Sequence, residues 1–142
     1  MDIKIKDQLM ILRFKSNTYM NQILDPISNS YEGIILNRLG HNFPIEYVPD
    51  NHCLSKYKKL VKYVVGVSDF KHLSHELLHS KFYLDATYRE KITNEFNQMD
   101  LKKKTRIINC LKKMSYPEDK WIDEYQAYTY SEKNNFWGFG KN

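Results

Sequence analysis

The sequence predicts an α+β chain, mostly helical, with one small antiparallel sheet. Two observations carry that reading. In the first third, apolar residues come in short runs cut by Gly, Pro and Asn. From residue 50 onward they recur at intervals of three and four, the helical period. The length of 142 residues, with 42% hydrophobic and 14% aromatic content, suits a single folded domain over residues 1–142 with one modest core.

Residues 1–24 admit two readings. Ile3 and Ile5 alternate like a strand, whereas Leu9, Leu12, Tyr19, Ile23 and Leu24 can line a helix. Asp25-Pro26 and Ser28-Asn29-Ser30 read as a turn cluster. Two short segments follow, Tyr31 to Leu39 around Ile34-Ile35-Leu36, and Ile45-Glu46-Tyr47-Val48. With Gly40-His41-Asn42 between them they read as an antiparallel hairpin. Leu54, Tyr57, Leu60, Val61, Val64 and Val65 then fall at helical spacing, with Gly66 placed to stop the helix. The β-branched stretch Tyr63 to Val67 leaves a short strand as the alternative.

Ser68 reads as the N-cap of the next helix, residues 69–84, with Phe70, Leu73, Leu77 and Leu84 as its buried side. Ala86 to Met99 and Leu101 to Met114 are two more helices, separated near Asp100. The second has Ile107, Ile108, Leu111 and Met114 as its stripe and Lys102, Lys103, Lys104, Lys112 and Lys113 as its wet face. Ser115-Tyr116-Pro117 breaks that helix, and Pro117-Glu118-Asp119 opens a last one through Tyr128. The tail, residues 133–142, holds Phe136, Trp137 and Phe139. These aromatics should either cover the core beside the first helix or fold back across a cleft and keep the protein latent.

Composition narrows the function classes. No run approaches eighteen apolar residues, so no membrane span is expected. The N-terminus alternates charged and apolar residues and lacks a signal-peptide core. Cys53 and Cys110 lie among apolar residues, as small hydrophobes in a reducing compartment would. A cytoplasmic monomer is the expectation, in host cytoplasm or virion if the source is viral; an AT-rich bacterium fits the same Lys, Asn, Ile and Tyr bias. The net charge of +5 comes from 18 Lys against 4 Arg, and bidentate reading of phosphates or bases favours Arg. Nucleic acid is therefore a weakly supported partner.

The one stretch that carries chemistry is His75-Glu76-Leu77-Leu78-His79. On a helix, positions four apart lie one above the other, so both imidazoles leave the same face and can converge on one cation. Glu76 lies beside them, within reach of water at the metal without being a ligand. The pattern suits Zn²⁺, which takes neutral imidazole nitrogen and keeps an open position in catalytic sites. In a chain with 5 His and 8 Glu, chance supplies such a pattern roughly once in a hundred.

A catalytic zinc needs a third protein ligand. Asp85 occupies the position a sixth residue beyond the second His, but Phe82 stands where a glycine would turn the chain toward the metal. Glu124, with small Ala127 one turn on, is the better candidate, because a small residue lets two helices approach closely. Glu118 and Asp123 read as first-turn acids, and His72, one turn before His75, as a rim residue.

His75-Glu76-x-x-His79 followed about 45 residues later by Glu124-x-x-Ala127 resembles the gluzincin metallopeptidases. Among them it is similar to the minigluzincins and to catalytic domains of the anthrax lethal factor type, over residues 60–132. The resemblance implies a zincin-like active-site helix followed by a glutamate helix. It makes His75, His79 and Glu124 the zinc ligands and Glu76 the general base of peptide-bond hydrolysis on a peptide or protein substrate. It further implies a tyrosine in the loop before the glutamate helix that polarises the tetrahedral intermediate, and Tyr116 lies there. Many gluzincins carry Asp four residues after the ligand Glu; this chain has Tyr128, a second candidate for the tyrosine role. The substrate would add a strand to the sheet edge, with Ile45–Val48 the expected edge. The rival reading is a small basic binding protein, associated with nucleic acid or a virion, whose zinc site is structural or vestigial. Its support is the lysine runs at 56–62 and 102–113.

Overall fold

The computed structural model describes residues 1–131 and 136–139. Among them are five α-helices and a four-stranded sheet, an α+β fold. The chain divides into two compact units, Met1–Ser80 and Lys81–Asn142. Each has its own apolar cluster where the length suggested one core.

The N-terminal ambiguity resolves into both alternatives in succession. β1 (Asp2–Lys6) and β2 (Leu9–Arg13) form a hairpin, and α1 (Asn17–Glu32) follows with Ser16 as its N-cap. Asp25-Pro26 and Ser28-Asn29-Ser30 lie inside α1, not in a turn. A mid-helix proline costs about 3 kcal/mol or more. Met20, Leu24 and Ile27 are wholly buried on α1, and each such side chain contributes about 1.5–3 kcal/mol, which outweighs it.

The expected 31–39/45–48 hairpin does not form. Residues 33–39 are a loop that leaves Ile34 and Leu36 about four-fifths exposed, and Ile45–Tyr47 is a single 3₁₀ turn rather than a strand. The strand β3 lies between them, at Gly40–Pro44. Arg38 ties the loop down. Its Nη1 donates to Asn29 Oδ1 (2.6 Å) and Asp25 Oδ1 (3.1 Å), its Nη2 to the Gly33 carbonyl (2.9 Å). This buried guanidinium holds the loop where apolar burial does not.

Residues 54–65 are not a helix either. After a 3₁₀ turn at Ser55–Tyr57 the chain enters β4 (Tyr63–Val67), buried along its whole length. The strand order is β1-β2-β4-β3, with β4 antiparallel to β3 but parallel to β2. The sheet is thus mixed, because helix α1 lies in the crossover between β2 and β4. A strand buried on both faces reads as an unbroken apolar run, so periodicity could not separate it from a helix. Gly66 stops nothing: it sits mid-strand, where a Cβ would lie 2.6 Å from Leu24 Cδ1 of α1.

His41, which has no motif around it in the sequence, is fully buried on β3. Asn21 donates to the Arg38 carbonyl, so its Oδ1 accepts from His41 Nε2 (2.7 Å), which leaves Nδ1 to accept from Ser28 Oγ (2.7 Å). Burial, then the nearby Arg38 guanidinium, pushes its pKa down to about 3. Asp25 Oδ1, 3.8 Å from Nε2, does not offset this. The unfolded chain therefore binds the extra proton between pH 6.5 and about 3. The contribution is whole above pH 6.5 and falls with acidification, by up to about 1.4 kcal/mol per pH unit. We expect His41→Gln to be less stable at pH 7 but to lose less between pH 6 and 4 in urea titrations. Parallel pH slopes for the two proteins would contradict this.

In the second unit, α3 (Ala86–Asn97), α4 (Leu101–Lys113) and α5 (Trp121–Ser131) follow the predicted boundaries closely. Ile92, Phe96, Ile107, Leu111 and Tyr125 form its core, while Met114 at the end of the predicted stripe is exposed. Trp137 is buried in the same cluster; its Nε1 donates to Thr129 Oγ1 (2.9 Å) and its carbonyl accepts from Arg106 Nε (2.7 Å). That part of the tail packs into the core of the second unit. Residues 132–135 and 140–142, the remainder of the predicted tail, lie outside the described residues. No described helix is long and apolar enough to cross a membrane.

Candidate metal centre

The motif lies on α2 (Leu73–Leu84), preceded by a 3₁₀ turn at Phe70–His72. Asp69, not Ser68, is the cap: its carboxylate accepts from the Lys71 backbone N–H (3.0 Å), while Ser68 Oγ donates to Asn17 Oδ1. The expected buried side is reversed. Phe70 is about half exposed and the leucines are only half-buried, whereas Glu76, His79 and Ser80 are the buried residues of α2. A helix whose most buried residues are polar departs from ordinary core packing, and buried polar groups are the informative ones.

The i, i+4 spacing does what helical geometry dictates. His75 Nε2 and His79 Nε2 lie 3.2 Å apart with ring centroids at 4.9 Å. One ligand atom each from His75, His79 and Glu124 falls within 4.8 Å of the others. His79 and Glu124 are buried and His75 is half-buried. This group can hold a metal ion. Glu124 is in the first turn of α5, and Ala127, one turn on, is fully buried.

The other acids have other partners. Asp85 is exposed and caps α3, accepting from the Tyr88 backbone N–H (3.0 Å). Asp123 Oδ1 accepts from Gln126 Nε2 (3.0 Å), and exposed Glu118 begins a 3₁₀ turn. His72 is half-buried on the turn before α2 and belongs to no metal-binding group among the described residues. Cys53 is exposed rather than packed, and Cys110 is half-buried.

Tyr116 and Tyr128, the two candidates for the tyrosine role, are brought together: their hydroxyls lie 3.0 Å apart. Ser115, at φ +68°, turns the chain sharply before Tyr116, and Phe136 stacks on Tyr128 at 4.5 Å. Other tyrosines serve packing. Glu95 accepts from both Tyr125 (2.8 Å) and Tyr130 (2.7 Å), and burial together with that carboxylate pushes both phenols up, Tyr130 to about 12.

Sequence reasoning missed the surroundings of Glu76. Asn42 Nδ2 donates to Glu76 Oε2 (2.8 Å), and Tyr63 OH donates to Asn42 Oδ1 (2.5 Å). All three side chains are buried. Gly40, on the same face of β3 as Asn42, lies so close that a Cβ there would be 2.8 Å from Glu76 Oε1. One signal was legible: Asn and Gly are depleted in strands, so Gly40-His41-Asn42-Phe43 is poor strand sequence unless something else requires it. Comparison with protein-family models, curated proteins and solved structures finds no match, so the likeness to the gluzincins rests on the residues themselves.

Proposed function

We propose that this protein is a zinc-dependent peptidase of gluzincin type, with His75, His79 and Glu124 as ligands and Glu76 as general base. The observation that carries it is the convergence of two imidazole nitrogens and one carboxylate, from residues up to 49 positions apart, into one group within 4.8 Å. The donor set fits zinc: two nitrogen ligands of a tetrahedral site at about 2.0–2.1 Å are roughly 3.3 Å apart. The two Nε2 atoms stand at 3.2 Å. A bound zinc supplies positive charge that polarises a carbonyl and lowers the pKa of water from 15.7 to about 7.

The chain's own residues do the rest. Glu76 takes a proton from the attacking water and delivers it to the leaving nitrogen, so one carboxylate serves as base and then as acid. A hydroxyl of the Tyr116–Tyr128 pair donates to the developing oxyanion. Because the two hydroxyls share one hydrogen bond, whichever donates outward can be replenished by its neighbour. The substrate lies extended along β3, which is an edge of the sheet and passes Glu76 at Gly40 and Asn42. Residues Ile45–Val48, expected from sequence to be that edge, begin beyond its end.

The test is metal content and turnover on one preparation. We expect about one zinc per chain by elemental analysis. Cleavage of an unstructured protein such as casein should be abolished by chelator and restored by zinc. A protein that binds zinc but cleaves nothing, with or without chelator, would favour a structural site instead.

A further inference from the structure

The geometry points to Asn42 as the positioning residue of Glu76, with Tyr63 behind it fixing which way the amide faces. The inference rests on the peptidase reading for its catalytic meaning, though not for its geometry. Glutamate has three rotatable side-chain bonds. A general base must nevertheless stay within hydrogen-bond reach of the proton it takes, and a misplacement of 1 Å can cost about 10²-fold in rate. Strand β3 restrains it twice.

Asn42 and Gly40 are two residues apart on a strand and so share a face. Opposite them on β4 are Val65 and Val67. Asn42 Nδ2 donates to Glu76 Oε2 at 2.8 Å. The amide cannot usefully turn over, because that would set Oδ1 against a carboxylate oxygen and two acceptors would meet. Tyr63 OH, only 1% exposed, donates to Oδ1 at 2.5 Å and holds the amide in the productive sense. Gly40 supplies the other restraint. With no side chain it lets Oε1 and Cγ of Glu76 settle where a Cβ would stand at 2.8 and 2.9 Å. One oxygen is tethered and the other is seated against backbone, which defines the plane of the carboxylate. A purely structural role would need only some donor for a buried acid. It would not need the donor's own orientation to be secured from a second strand, or a glycine beneath the acid.

Two measurements test this. Asn42→Ala should lower kcat on the order of 10²-fold with KM near wild type and full zinc. Tyr63→Phe should lower it less, about tenfold. In a Glu76→Gln background, Asn42→Ala should cause no further loss, because Asn42 acts only through Glu76. Full multiplication of the two losses, or unchanged kcat in Asn42→Ala, would overturn the assignment. The second measurement needs no activity and uses the full chain with Asn42 intact. The side-chain NH₂ resonance of Asn42 should move in Glu76→Gln and stay in place in Asp85→Ala. A resonance indifferent to Glu76→Gln overturns the inference whatever the enzyme does. A resonance that moves, in a protein that cleaves nothing, supports the contact and places the failure on the peptidase reading alone.

Discussion

Glu76→Gln should keep its zinc and its fold and lose between about 10² and 10⁴-fold in kcat. Gln has nearly the shape of Glu and can still offer an amide oxygen to Asn42 Nδ2, which donates to Glu76 in the native protein. The substituted side chain can therefore occupy the same seat above Gly40. It cannot accept a proton from water, and the step that Glu76 carries is removed with little else disturbed. Neither His75 nor His79 changes, so the metal-binding group retains its members. Steady-state kinetics on a peptide, elemental analysis and circular dichroism of one sample decide the matter. Wild-type turnover in this variant would remove the hydrolase reading. A lost fold would instead show that Asn42 and Gly40 demand a carboxylate for packing.

The ligand set should divide Glu124 sharply from Asp85. Removing a neighbour of a ligand typically costs 10–100-fold in metal affinity, so removing one of three ligands should cost more than about 100-fold. Glu124→Gln and His79→Ala should both show that loss in competition titrations with a zinc chelator. Asp85→Ala should bind zinc as the wild type does. Its effect falls elsewhere: the carboxylate caps α3 through the Tyr88 N–H, and losing such a cap costs about 1 kcal/mol of stability. The paired outcome is what discriminates. Full occupancy in Glu124→Gln together with loss in Asp85→Ala would move the third ligand to the nearer acid.

The metal-binding part of this site is legible in the sequence, and for a physical reason. The convergence of His75 and His79 follows from helical rise and twist over one turn, which needs no knowledge of the rest of the fold. Helices α3, α4 and α5 were readable for a like reason. The break near Asp100, the apolar stripe of α4 and the Ser115-Tyr116-Pro117 stop are all local signals, and α4 buries Ile107 and Leu111 of that stripe at helical spacing. The choice of Glu124 used a subtler local cue, the small Ala127 one turn away.

Tertiary structure decided everything that depends on partners distant in sequence. Pro26 and Ser28 read as turn residues because the helix they sit in is held by Met20, Leu24 and Ile27 against a sheet that the local sequence does not announce. Gly66 reads as a helix stop, but the close approach of Leu24 is what requires it. Val64 to Val67 carry no period because β4 is buried on both faces, and a strand without a wet side looks like any apolar run. The same holds for the setting of Glu76. Asn42 and Gly40 meet the acid across 34 and 36 residues of chain and Tyr63 meets Asn42 across 21, separations over which sequence spacing has no geometric meaning. By itself the sequence determined which groups could bind a metal, since that chemistry is local to one helical turn and a second acid. Only the pairing of β3 with β4, which aims Asn42 at Glu76, decided how the base is held.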